Sequence, residues 1–200
     1  MGVAKYILKI FQKEWAGKSD EDYNYGSIMQ KRAIDYRKEN TSVVKLERPT
    51  NIISARHVGY KAKEGIFVAR VRVRKGSGKY TRPKNKRRPK RQGQTKLTRK
   101  KSIQAIAEER ASKAFENAEV IGSYKINEDG RTHYYEVVLA DRLNPSIISD
   151  KELSYLLFNQ KGRAERGKTF AGRVNKEDNK RNMRKTRLKK SLQAKVNHSK

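Results

Sequence analysis

Cysteine is absent from this chain of 200 residues, and acidic residues are scarce. Without thiols, the chain forms no disulfide, no thiolate zinc site and no cysteine nucleophile. No apolar run approaches the roughly 18 residues that a membrane helix needs. Lys5 and Lys9 interrupt the apolar start in a way that is not typical of a secretory signal. Only 34% of the residues are hydrophobic, enough to build a core over part of the chain. We therefore expect a soluble intracellular protein.

Positive charge dominates the composition and is concentrated in two segments. Lysine and arginine number 50 against 21 acidic residues, which gives a formal net charge of +29. The first basic segment, residues 75–101, has thirteen basic residues and no acid, and the second, residues 161–200, has fifteen basic residues and three acids. We predict a near-neutral body over residues 1–160, with the first basic segment as an extended insertion, and a basic C-terminal extension over residues 161–200.

The remaining sequence has the patterns of a mixed α and β body. Apolar residues recur at helical spacing in three stretches, which are residues 3–15, 27–38 and 102–116. Strand patterns occur in four stretches, which are residues 42–48, 66–74, 119–126 and 132–140. The turn Asn127-Glu128-Asp129-Gly130 joins the last two as a hairpin, and Ser149-Asp150-Lys151-Glu152 resembles a capping box before a short helix. We predict the α+β class, a small, mostly antiparallel β-sheet with packed helices, plus long basic extended segments.

The stretch 66–74 alternates apolar and basic residues. Phe67, Ala69, Val71 and Val73 point to one side of the predicted strand, and Arg70, Arg72 and Arg74 point to the other. This pattern predicts one buried face and one cationic face.

Residues 162–169 match the phosphate-loop pattern GxxxxGK[ST] letter for letter. Such a loop needs a buried strand before it and a helix after it. Here a capped helix is predicted before it, and the residues that follow are too basic and too poor in apolar residues for a packed helix. The context therefore favours a chance match, in which the glycines let the backbone approach an RNA phosphate.

Other catalytic or metal-binding patterns are weak. His57, His133 and His198 lie in separate elements without ligand spacing. Glu108 and Glu109 are adjacent, so on a helix they point about 100° apart and do not share a proton-transfer site. We interpret them as a solvated helix face and expect no cofactor and no metal site.

Nucleic-acid binding agrees with the remaining signals. Arginine-rich stretches neutralise phosphates and release counterions, which makes the affinity strongly dependent on salt. Tyr60 and Tyr80 lie among basic residues, where base stacking and partial core packing are both open to them. The chain has no zinc-finger pattern, no basic region followed by heptads and no clear helix-turn-helix, so sequence-specific DNA recognition is the weaker interpretation.

Several collinear motifs resemble the archaeal and eukaryotic family of the fifteenth large-subunit ribosomal protein. In chain order the matching stretches are Lys5-Tyr6-Ile7, Val44-Lys45-Leu46-Glu47-Arg48-Pro49-Thr50, Gly59-Tyr60-Lys61-Ala62-Lys63 with Gly65, Val71-Arg72-Val73-Arg74, Arg87-Arg88-Pro89-Lys90-Arg91, Ser102 through Ala111, Ser123-Tyr124, Glu128-Asp129-Gly130, Tyr135-Glu136-Val137, Gly162-Arg163-Ala164, Arg166-Gly167 and Ala171-Gly172-Arg173. They cover residues 3–173, and the short loops resemble the archaeal branch. This family usually has an apolar residue where Lys168 stands and an aromatic where Lys125 stands, and residues 174–200 follow no pattern that we can align.

The resemblance implies a cytoplasmic protein of the large ribosomal subunit that folds and bridges large-subunit rRNA through basic arms. The implied partners are this rRNA and neighbouring large-subunit ribosomal proteins, with no catalysis, small-molecule substrate or membrane. The candidate RNA-binding residues are Arg48, Tyr60, Lys61, Lys63, Arg70, Arg72, Arg74, Lys75, Lys79, Arg82, Lys84, Lys86, Arg87, Arg88, Lys90, Arg91, Arg163, Arg166, Lys168 and Arg173.

Two alternatives stay open from the sequence alone. A basic chromosomal or nucleoid protein would bind duplex DNA as tightly as folded rRNA at equal salt. A nucleotide hydrolase would depend wholly on Gly162–Thr169.

Overall fold

The computed structural model describes residues 2–20, 23–78, 81–82, 86–93, 99–158 and 160–176. Within these ranges the chain has the predicted α+β fold, in which helices pack on both faces of an antiparallel sheet. The helices are α1 (Val3–Ala16), α2 (Tyr25–Lys38), α3 (Ile52–Val58), α4 (Pro89–Gln92), α5 (Ile103–Ala114) and α6 (Pro145–Ile148). The strands are β1 (Ser19–Asp20), β2 (Tyr23–Asn24), β3 (Val43–Leu46), β4 (Ile66–Arg74), β5 (Ala118–Glu128) and β6 (Thr132–Asp141). A 3-10 turn covers Ser154–Leu156, and residues 170–176 are helical.

The main sheet has four strands in the order β3-β4-β6-β5, and each neighbouring pair is antiparallel. At its centre, β4 and β6 pair without interruption from Ile66 opposite Ala140 to Arg74 opposite Thr132. The predicted hairpin of β5 and β6 is confirmed, although β5 continues to Glu128 and moves the loop to residues 129–131. β1 and β2 form a separate antiparallel pair between α1 and α2.

Most of both faces of β4 is covered and only Arg74 is exposed, so the prediction of one buried and one cationic face is wrong. Ala69, Val71 and Val73 pack with α5 on one face, as the alternation indicates. On the other face, Ile66 and Val68 belong to a second apolar cluster, which includes Ala55 of α3. The pattern is misleading because the arginines begin only in the second half of this face, where Tyr36 of α2 and Glu39 just after it contact Arg70.

Most of the predicted helices are confirmed, within two residues at their ends. α1 ends at Gly17, which takes the left-handed conformation (φ 64°) that stops a helix at little steric cost. α5 begins after Ser102, whose hydroxyl accepts the Ala105 amide at 3.1 Å, as predicted. α3 was not predicted because its seven residues are too few to show a helical period.

The stretch 149–157 departs from its capping-box pattern. Asp150, rather than Ser149, accepts the Glu152 amide (2.9 Å), and the following residues form a 3-10 turn instead of an α-helix. Asp150 also accepts two lysine ammonium groups, so its position is fixed from outside the segment. The sequence of residues 149–152 alone does not indicate these contacts with Lys61 and Lys63.

Residues 160–176 pack on the body. Ala164 belongs to the apolar cluster beneath α5, and Thr169, Ala171 and Gly172 are buried. The view that residues after 169 are too basic for a packed helix is therefore wrong up to residue 176. Packing of the body continues past the boundary predicted at residue 160, while residues 177–200 lie outside the described residues.

Two further observations concern the predicted basic insertion and the membrane. The first basic segment is not extended throughout, because Pro89 begins the short helix α4. No helix of the described ranges has the length and apolar character required to cross a bilayer.

Candidate nucleic-acid interface

The three arginines of β4 differ in their contacts within the protein and in their exposure. Arg70 lies over the Tyr36 ring (4.0 Å from the ring centroid) and forms an ion pair with Glu39. Arg72 donates to the Glu39 carbonyl at 3.1 Å. Only Arg74, at the end of the strand, has an exposed side chain. Of the three arginines, the sheet therefore leaves only the Arg74 side chain exposed, whereas Arg70 and Arg72 fix the C-terminal end of α2.

The first basic segment presents its cations outward where it is described. The side chains of Arg82, Lys86, Arg87, Arg88, Lys90 and Arg91 are exposed, and within the described ranges none has a carboxylate partner. At the two ends of the segment, Lys75 approaches Glu128 (3.5 Å) and Lys101 pairs with Glu109 (2.5 Å). Lys79, Tyr80 and Lys84 lie outside the described residues. These six exposed cations are thus available to a polyanion.

Lys61 and Lys63 form ion pairs with acidic residues of the same protein. Both ammonium groups contact Asp150, at 3.2 and 2.8 Å, and Lys61 also contacts Glu152 at 2.7 Å. Hydrogen bonds to Glu152 and then Asp150 raise the pKa of Lys61. Tyr60 packs against the second apolar cluster, so core packing accounts for its position. Among these candidates near α3, Arg48 is exposed.

The Asp150 contacts give the fold an acid-sensitive element. The Lys63 ammonium, the Glu152 amide and Lys61 together hold the pKa of Asp150 below its ordinary value of 3.8. A carboxyl with a lowered pKa stabilises the fold above its unfolded-state pKa, and this contribution disappears as the pH falls through the folded value. We expect Asp150→Asn to lower the melting temperature at pH 7. The difference from the unaltered protein should shrink below about pH 3.8, and a pH-independent difference in thermal unfolding would contradict this.

Glu119 occupies the loop that resembles a phosphate loop. The amides of Gly162 and Arg163 donate to its two carboxylate oxygens at 2.9 and 3.2 Å, and Glu119 is only 3% exposed. The turns depend on Gly162 (φ 66°) and Gly167 (φ 63°), which adopt left-handed conformations. We expected an RNA phosphate to approach this backbone, but the Glu119 carboxylate already accepts these two amides. The motif is therefore a chance match.

Glu108 is buried, so its interpretation as part of a solvated helix face is wrong. It is 1% exposed and accepts the hydroxyls of Ser123 (2.6 Å) and Thr169 (2.5 Å). Burial raises its pKa, and the two hydroxyls oppose that shift. Sequence analysis missed Glu108 and Glu119 because their partners lie 61 and 43 residues away along the chain.

The cations of the second basic segment fall into two groups. Arg163 lies over the Tyr155 ring (5.1 Å from the ring centroid), and its Nε is buried. Arg166, Lys168 and Arg173 have exposed side chains on the loop and helix that follow. Arg163 therefore contributes to packing, and the other three form the outer surface of the described part of the segment.

Metal chemistry has no support in the described residues. They include no cluster of three or more histidines or acids that could hold a metal ion. His57 is exposed, and burial lowers the pKa of His133, which lies 3.1 Å from Glu128. His198 lies outside the described residues.

Comparison with known proteins agrees with the motifs. The family described as Ribosomal L15 matches residues 3–196, past residue 173, where the recognised motifs end. Large ribosomal subunit protein eL15 of Haloarcula marismortui is 46% identical over 162 residues, covering 80% of this chain and 82% of that protein. The eL15 protein of Methanocella arvoryzae is 48% identical over 149 residues, covering 74% of this chain and 76% of that protein. The family match spans nearly all of this chain. The chain therefore belongs to the archaeal and eukaryotic type of the ribosomal L15 family and is a structural component of the ribosome, not an enzyme.

Proposed function

We propose that this protein binds large-subunit rRNA in the cytoplasmic ribosome through two separate cationic surfaces and bridges the RNA regions that they contact. The first surface consists of the six exposed cations of the first basic segment named above. The second consists of Arg166, Lys168 and Arg173. Neighbouring large-subunit proteins are its further partners in this proposal.

One observation carries the proposal, the group of six exposed cations in the first basic segment that have no carboxylate partner within the described ranges. Several cations of the body pair with acids of the body, as Arg32 does with Glu14 (2.6 Å) and Arg70 with Glu39. By contrast, the six exposed cations named above have no carboxylate partner in the part of the chain that the structure describes. Unpaired like charges repel one another, and a polyanion relieves that repulsion while releasing its own counterions.

The chemistry of these groups favours recognition of RNA shape and backbone. Arginine presents a planar fork that matches phosphate. Two surfaces on one folded body also raise the effective concentration of each contact for the other. The mechanism is therefore binding and positioning of RNA segments.

Nuclease footprinting on deproteinised large-subunit rRNA tests the bridging. We expect two protected regions that are distant in the RNA sequence. Protection of one should disappear in Arg87→Ala/Arg88→Ala/Lys90→Ala/Arg91→Ala, and protection of the other in Arg166→Ala/Lys168→Ala/Arg173→Ala. A single region that weakens equally in both variants would contradict bridging. Equal protection of duplex DNA at the same salt would favour the chromosomal alternative instead.

A further inference from the structure

The loop that carries the second surface is attached to the body by two buried carboxylates. Glu119, at the start of β5, accepts two consecutive amides at the entry of the loop, those of Gly162 and Arg163. Glu108, on α5, accepts the hydroxyl of Thr169 at the exit of the loop. The exposed cations Arg166 and Lys168 lie between these two attachments.

Thr169 also organises the helix that follows. Its hydroxyl donates to Glu108 and accepts the Gly172 amide at 3.2 Å, which is the geometry of a helix N-cap. The Arg173 amide donates to the Thr169 carbonyl at 2.9 Å, so Arg173 lies in the turn that this cap fixes. Glu108 therefore orients the cap, and the cap orients Arg173.

Close backbone packing leaves this loop little freedom. A Cβ added at Gly172 would lie 2.5 Å from the Gly167 Cα, so the two chain segments touch directly. The Lys176 ammonium donates to the Arg166 carbonyl and closes the loop on its outer side. The three exposed cations thus project from a backbone whose conformation is fixed at both ends.

The negative charges of Glu108 and Glu119, the two anchors of the loop, are unfavourable near a surface that binds RNA. In a protein of net charge +29 that binds a polyanion, an acid near a cationic surface weakens the attraction for phosphate. If Glu108 and Glu119 acted only through their charge, neutralising either would strengthen RNA binding. If they hold the loop, neutralising them would weaken it.

We propose that Glu119 and the Glu108–Thr169 pair are positioning residues for RNA binding, which hold Arg166, Lys168 and Arg173 in the arrangement that contacts RNA backbone. This inference rests on the proposed function. It adds that the second surface is preorganised by the body before RNA arrives. Preorganisation increases affinity because fewer side-chain and loop conformations are lost on binding.

Glu119→Gln is the direct test, with Glu116→Gln as its matched control. The glutamine amide would place an N–H donor against one of the two backbone donors, leaving that amide unsatisfied. Glu116 lies in the turn just before β5, is exposed, and has no hydrogen bond or ion pair within the described ranges. Both variants lose one negative charge, but only Glu119→Gln loses hydrogen bonds to the loop. We expect Glu119→Gln to bind rRNA about tenfold more weakly and Glu116→Gln to bind as well as the unaltered protein or better.

Thr169 supplies a second, independent pair of variants. Thr169→Val keeps the shape and removes the hydroxyl, and Thr169→Ser keeps the hydroxyl. We expect weaker binding only for Thr169→Val, with near-normal binding for Thr169→Ser. In hydrogen exchange of the free protein, amides 162 and 163 should exchange faster in Glu119→Gln, while those of β4 and β6 keep their protection.

Footprinting separates the possible outcomes. Loss of the second protected region with retention of the first supports the inference. Equal binding by Glu119→Gln and Glu116→Gln would overturn it and leave the proposed function intact. Loss of both regions together would also overturn it, since the carboxylates would then stabilise the whole body. Absence of any footprint with the unaltered protein would overturn the proposed function and this inference with it.

Discussion

Replacement of Arg87, Arg88, Lys90 and Arg91 by alanine is expected to lower affinity for large-subunit rRNA about 10²–10³-fold at 0.15 M salt. Each cation that neutralises a phosphate contributes about 0.7–0.9 to the slope of log affinity against log salt concentration. Losing four contacts should therefore reduce the magnitude of that slope by about 3. The body should keep its circular dichroism spectrum, because these four side chains are exposed and contact no core residue in the described ranges.

Filter binding at several salt concentrations measures both quantities. The matched control removes the same number of charges from exposed positions of the body, through Lys5→Ala/Lys9→Ala/Lys18→Ala/Lys151→Ala. We expect this control to lose much less affinity and to keep most of the salt slope. Equal losses in the two variants would show that net charge alone determines binding. A collapsed spectrum in the first variant would contradict the separation of the segment from the body.

Glu136→Ala is expected to lower the free energy of unfolding by about 3–5 kcal/mol. Glu136 lies at the centre of β6, is 0% exposed, and accepts the Tyr124 hydroxyl and the Thr50 amide, the latter at 3.1 Å. Its removal leaves the buried Tyr124 hydroxyl and the half-buried Thr50 amide without this acceptor, and a donor that is buried without an acceptor costs about 1–3 kcal/mol. It also leaves a cavity between the sheet and the helices that cover it.

Urea unfolding, followed by circular dichroism, gives the size of this effect. Glu136→Gln should lose less stability than Glu136→Ala, because its amide oxygen still accepts one hydrogen bond. Glu116→Ala serves as the control for losing a surface acid and should change stability by less than about 0.5 kcal/mol. A similar small change for Glu136→Ala would mean that water reaches Tyr124 and Thr50 and replaces the carboxylate.

The sequence predicted those features that depend on neighbouring residues. Alternation identified β4, a strand-like run after the Asn127–Gly130 turn identified β6, and Ser102 marked the start of α5, because these patterns are local properties. The family was recognised because many short motifs occur in one order, and the comparisons confirm it.

Long-range pairing explains what the sequence did not predict. Arg70 looked like part of a cationic face because nothing near it in the chain indicates that Glu39 and Tyr36 will cover it. Glu108 looked solvated because its acceptor role depends on Ser123 and Thr169, which the fold brings from β5 and from the second basic segment. Which cations contact RNA stays a prediction for every candidate residue.

Both ends of the first basic segment meet at one corner of the sheet. The Lys75 amide donates to the Arg131 carbonyl at 2.8 Å, and Arg99 Nη2 donates to the Arg74 carbonyl at 3.2 Å. The segment therefore leaves and rejoins the body at the same corner of the sheet. Since doubling the length of a flexible loop adds only about 0.6 kcal/mol of closure entropy, insertions within it should cost the fold little. Changes in its length would alter which RNA it reaches before they alter the stability of the sheet.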